Sequence, residues 1–125
     1  MVIDANVILR YMLRDNPKMF ADTKGLFESG QSFTVTDVTI MEVSYVLMGG
    51  YGKNRQQIAE ALRIFLNLDF IGYKSKLAEK YLELYSTKNL DLADCYLISL
   101  SLKTKNKLVT FDKKMQKVYE NLTNK

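Results

Sequence analysis

Four short runs of β-forming residues, 1–3, 33–36, 70–73 and 107–111, are separated by longer stretches in which apolar residues recur at helical spacing. Val7, Ile8, Tyr11 and Met12 follow the first run on one helical stripe, and Met19, Phe20, Leu26 and Phe27 form a second stripe after Asn16-Pro17. Proline suits the first helical position because its fixed φ is already helical, so Pro17 marks a helix start and Gly30 a stop. Thr39 opens the next helix and Gly49-Gly50 close it. Asn54 begins a further one, with Ile58, Leu62, Phe65 and Leu66 on its apolar face. Leu77 to Tyr85, Asp91 to Leu102 and Met115 to Leu122 repeat the helical period. Strands alternating with helices imply a parallel sheet covered by helices, because a parallel connection must cross over the sheet. The expected class is therefore α/β, a three-layer α/β/α sandwich with a short central parallel sheet, built as a single domain over residues 1–125.

The residue inventory removes much chemistry. The chain has no histidine and a single cysteine, Cys95. Ser-His-Asp and Cys-His nucleophilic sites, histidine-bound zinc, four-cysteine zinc and disulfide frameworks are all excluded. Carboxylates, hydroxyls, amides, Lys and Arg remain. With 18 Lys plus Arg against 14 Asp plus Glu, the formal charge is +4, which permits a polyanionic partner without requiring one. Asp4 and Arg10 interrupt the opening apolar stretch, and no apolar run reaches the roughly 20 residues that span a bilayer, so a cytoplasmic protein without membrane association is expected.

Four acids occupy distinctive places. Asp4 follows the first strand, Glu42 and Asp94 fall in the first turns of their helices, and Asp112 follows the fourth strand. In a parallel sheet the carboxyl ends of strands and the amino ends of the following helices share one edge, where open α/β sheets place their sites. Convergence there creates repulsion, about 4 kcal/mol for two carboxylates roughly 4 Å apart at an effective dielectric of about 20, which protonation or a bound cation relieves. Oxygen-only donors select hard ions such as Mg²⁺ or Mn²⁺, and these activate water and clamp phosphodiester oxygens. Each acid also has a structural reading. Thr39-Ile40-Met41-Glu42 matches a capping box, Asp91 and Asp94 fit a helix start, and Asp112 fits a cap. Asp4 reads instead as a charge in an apolar entry strand, which needs a partner if buried.

The segments Val2-Ile-Asp-Ala-Asn-Val-Ile-Leu-Arg-Tyr11, Thr39-Ile-Met-Glu-Val43, Leu92-Ala-Asp-Cys-Tyr-Leu-Ile98 and Lys107-Leu-Val-Thr-Phe-Asp112 resemble, in order and spacing, the PIN-domain family, specifically its VapC-type toxin ribonucleases. The resemblance covers essentially the whole chain. It implies Mg²⁺- or Mn²⁺-dependent endonucleolytic cleavage of RNA by an ion-bound water, and neutralisation by a cognate antitoxin. By position, Asp4, Glu42 and Asp94 match the family's three core acids and Asp112 a fourth that supports the site. Asn6 and Thr110 match its supporting polar positions, and Asp91 is a helix cap or an outer water ligand. Three departures stand out: Ala5 where Thr or Ser is common, the bulkier Cys95-Tyr96 after the third acid, and no glycine within Lys105-Asn106-Lys107.

Arg10 and Arg14, four residues apart on the first helix, are candidate RNA-phosphate contacts. Lys103, Lys105, Lys107, Lys113, Lys114 and Lys117 form a candidate basic rim. Cys95 reads as packing. Tyr45, Met48 and Tyr51, with the helix around Ile58 to Leu66, offer apolar area for an antitoxin segment or for a homodimer. Two other readings compete. A phosphoacceptor receiver domain fits poorly, since it wants adjacent acids after the first strand. A catalytically silent PIN-like module that binds RNA or protein keeps the fold without the chemistry.

Overall fold

Backbone pairing is concentrated at three of the four β-forming runs. In the computed structural model, which describes residues 1–124, β1 (Phe33–Thr34) and β2 (Ile71–Gly72) pair in parallel, Phe33 opposite Ile71 and Thr34 opposite Gly72. Val2 adds an isolated parallel bridge to Thr34 on the other side of β1. The ladder continues through Ile3 N–H to the Thr34 carbonyl at 3.2 Å and Val35 N–H to the Gly72 carbonyl at 3.1 Å. The result is a mixed α/β fold with a small parallel sheet and, among the described residues, seven helices.

The chain divides into two compact units, Met1–Ser75 and Lys76–Lys125. The first holds the sheet and four helices: α1 (Ala5–Leu13), α2 (Pro17–Phe27), α3 (Asp37–Tyr51) and α4 (Arg55–Leu66). Pro17 starts α2 as expected, with Asn16 Oδ1 accepting from Met19 N–H at 3.0 Å. Asn54 and Gln57 form a reciprocal capping box at α4, each side chain accepting the other's backbone N–H. The core of this unit is aromatic at its centre. Phe27 lies edge-on to Tyr11 and Phe33, with centroids 4.9 and 5.1 Å apart, and 5.0 Å from Phe70. Ile8, Ile40, Val43 and Leu62 are fully buried in the same unit.

The second unit contains α5 (Ala78–Thr87), α6 (Leu92–Thr104) and α7 (Lys113–Thr123). α5 packs on α6, with Tyr81 against Tyr96 and with Leu82, Cys95 and Ile98 buried. No helix among the described residues is long and apolar enough to cross a membrane.

Three local expectations are corrected. The cap of α3 is Thr36, not Thr39: its hydroxyl accepts from Thr39 N–H at 3.3 Å, so the helix begins at Asp37 and Glu42 moves from the first turn to the second. That helix also runs through Gly49 and Gly50 and ends at Gly52, whose φ of +62° is the left-handed conformation that glycine adopts without a Cβ penalty. Third, residues 107–111 form no strand. Local bonds take backbone groups of the segment instead: Leu108 N–H donates to the Tyr119 hydroxyl and Gln116 Nε2 donates to the Thr110 carbonyl, while the Thr110 hydroxyl accepts from Asp112 N–H just beyond it. The glycine missing from Lys105-Asn106-Lys107 is replaced in role by Lys105 itself, which closes α6 at φ +58°.

Candidate active site

Asp4 stands where the edge segment 1–3 turns into α1. Its carboxylate accepts from Val7 N–H at 3.1 Å and is exposed, so the buried charge expected in an apolar strand does not arise. The acid is placed at the end of a strand segment and the start of a helix at once. It borders a cleft of about 420 Å³ lined by Val2, Ile3, Val7, Leu26 and Thr39. Asn6 is exposed one position into the first turn of α1.

Glu42, also exposed, is released from the capping role, because Thr36 satisfies the start of α3 without it. Its side chain enters no ion pair among the described residues. A further acid, Asp37, lies in the first turn of α3. Tyr73 donates its hydroxyl to Asp37 Oδ1, tying the start of α3 to the segment after β2. Nothing in the chain's spacing marks that pair, which is a tertiary contact across 36 positions.

In the second unit, Asp91 occupies the cap position of α6 but makes no capping hydrogen bond. Asp94 follows in the first turn, half-buried, with its carboxyl held above the ordinary aspartate value. Burial is the largest cause, followed by the charges of Asp91 and then Asp112. Asp112 caps α7 by accepting from Met115 N–H at 2.9 Å. Thr110 fixes the approach to it, its hydroxyl accepting from Asp112 N–H at 3.1 Å. The structure thus brings Asp91, Asp94 and Asp112 into electrostatic reach of one another. Within either unit, no group of three or more His, Cys, Asp or Glu among the described residues is arranged to hold a metal ion.

The donor chemistry fits a hard cation. The acids supply oxygen alone, the single cysteine, Cys95, is buried, and the repulsion from Asp91 and Asp112 that adds to burial in raising Asp94 is what a divalent ion relieves.

The two arginines have partners inside the protein. Arg10 grips both oxygens of Asp15, at 2.9 and 3.0 Å, and reaches the Tyr51 hydroxyl at 3.4 Å. Tyr51 in turn donates to Asp15 at 3.0 Å, closing a three-residue set. Arg14 ends α1 in the left-handed region and lays its guanidinium 4.7 Å from the Phe20 ring centroid. The six lysines of the rim are different: all are exposed, and none enters an ion pair among the described residues.

A sequence model for the family described as PIN domain matches residues 1–121. No curated protein matches the chain, and no solved structure does.

Proposed function

Because the chain belongs to the PIN domain family, whose members are generally nucleases that use divalent metal, we propose that it is a Mg²⁺- or Mn²⁺-dependent endoribonuclease, the toxin of a toxin-antitoxin pair. The observation that carries the reading is Asp94: a half-buried carboxyl at the family's third acid position, disfavoured in its charged form by burial first and then by the neighbouring charges of Asp91 and Asp112.

Asp4, Glu42 and Asp94 are the residues that would hold the ion, with Asp112 assisting. Bound there, a hard divalent ion supplies positive charge to phosphodiester oxygens and acidifies water. The protein's part is positioning. Asp4 and Asp112 are fixed by their own helix starts, so their carboxylates hold one orientation before substrate arrives. Thr110 fixes the backbone of Asp112, and Asn6 is exposed at the start of α1, two residues after Asp4, where the family places its supporting polar residue. Asp91, free of a capping bond, is available to a water at the edge of the acids.

A protein partner is part of the proposal. An apolar cleft of about 640 Å³ in the first unit is lined by Met12, Leu13, Leu47, Ile58, Ala61 and Ile64, and it suits an antitoxin segment or a second copy. A second reading, a silent PIN-like module binding RNA or protein, is favoured by one observation: in neither unit are three acids among the described residues arranged closely enough to hold a metal ion.

Metal linkage tests the site. Asparagine caps a helix about as well as aspartate, so Asp4→Asn and Asp112→Asn keep their caps and remove only charge. Both variants are expected to melt close to the parent without metal. Mn²⁺ at 100 times its dissociation constant is expected to stabilise the parent by about 2.7 kcal/mol and the variants by clearly less. Equal metal stabilisation of parent and variants in thermal melts would reduce Asp4 and Asp112 to caps.

A further inference from the structure

Phe111 is the most exposed large apolar residue of the chain, at 97%, and Val109 beside it is 81% exposed. A phenylalanine in water forgoes one of the larger burial gains a side chain can make, so its placement calls for a reason. The local bonds hold it there. On one side the Thr110 carbonyl accepts from Gln116 Nε2 and its hydroxyl accepts from Asp112 N–H; on the other, Asp112 is pinned to α7 through Met115 N–H. The residue between is presented from a fixed backbone.

Its surroundings point to the ligand. Residues 105–117 carry five lysines, Lys105, Lys107, Lys113, Lys114 and Lys117, against one acid, Asp112. That excess equals the +4 of the entire chain, so the remainder is electrically balanced. An aromatic ring with only Val109 exposed beside it in the segment, flanked in sequence by lysines that enter no ion pair among the described residues, lacks the contiguous apolar area that a protein interface core requires. It has what a single-stranded polyanion with planar bases requires: a π-face and cations for phosphates. Paired bases have their faces covered by stacking, so the fit is to unpaired ones.

We infer that Phe111 is a substrate-positioning residue, a platform on which one base of single-stranded RNA stacks while the neighbouring lysines hold its phosphates. The inference rests on the nuclease reading of the acids, since Phe111 adjoins Asp112.

The chain has no tryptophan, so Phe111→Trp installs a single indole reporter at the platform. In EDTA, where metal-dependent cleavage is suppressed, a short single-stranded RNA is expected to quench its emission, and the same strand annealed to its complement is expected to leave it unchanged. Anisotropy of the labelled strand is expected to show Phe111→Ala binding weaker on the order of 5- to 100-fold, the range of one lost base–aromatic stack, with Phe111→Tyr restoring it. With metal present, the alanine variant is expected to raise KM more than it lowers kcat. Unchanged affinity in Phe111→Ala, equal quenching by duplex, or no RNA binding by the parent overturns the platform. Quenching without any metal-dependent cleavage would overturn the nuclease reading and leave the platform standing, whereas cleavage indifferent to Phe111→Ala would do the reverse.

Discussion

Replacing Asp94 by asparagine is expected to lower RNA cleavage on the order of 10²- to 10³-fold, the scale of removing one electrostatic contact from developing charge. The substitution keeps side-chain size and removes the charge on the acid that its neighbours most disfavour. Stability should move the other way. The folded carboxyl sits above the ordinary aspartate value, through burial first and then Asp91 and Asp112, so the unfolded chain gives up its proton at lower pH than the folded one. Between those two values the unfolded state binds fewer protons, and the metal-free parent loses stability as pH rises. The amide of the Asp94→Asn variant has no such proton to lose, so the parent's melting temperature should fall relative to the variant's as pH rises through that window. Paired melts in EDTA across the acid range, alongside cleavage rates, check both halves. A variant that cleaves as fast as its parent removes Asp94 from the chemistry.

Phe33→Ala is expected to destabilise the first unit by about 3 to 5 kcal/mol, the cost of emptying a buried aromatic position. Phe33 is fully buried, sits edge-on to Phe27 at 5.1 Å and to Phe70 at 6.3 Å, and forms half of β1. Its N–H donates to the Phe70 carbonyl at 2.9 Å, so the ring and the ladder hold the same strand. Against a typical domain stability of about 5 to 15 kcal/mol, the loss is a large share. Urea denaturation followed by far-ultraviolet circular dichroism should show a lower midpoint, with Phe33→Leu in between. A midpoint within experimental error of the parent would show that the aromatic cluster does not hold the sheet.

The helices were legible where a cap and a period agreed. Asn16-Pro17 and Asn54 each start a helix as their side-chain chemistry dictates. The start of α3 was not, because Thr36 and Thr39 are both competent caps and Glu42 stands three residues after the wrong one. The structure distinguishes them, with the Thr36 hydroxyl accepting from Thr39 N–H and Asp37 in the first turn accepting from the Tyr73 hydroxyl. Residues 107–111 have strand composition, yet the Tyr119 hydroxyl takes the Leu108 N–H and Gln116 the Thr110 carbonyl, and composition does not register such competition. The acids were found by position, but aspartate serves caps and metals with the same oxygens. Sequence therefore left open that Asp4 and Asp112 cap their helices while Asp91, at a cap position, does not. The exposure of Phe111 has no signal in the sequence, because alternation in a strand would give it an ordinary place in a sheet.

Cleavage of a mixed structured RNA pool by the purified protein, in Mg²⁺, in Mn²⁺ and in EDTA, tests the proposed chemistry most directly. Discrete products in both metals and none in EDTA are predicted, with their ends mapping to unpaired segments. RNA left intact in every lane by a folded protein that Mn²⁺ stabilises would contradict the nuclease reading and leave a binding module of the same fold.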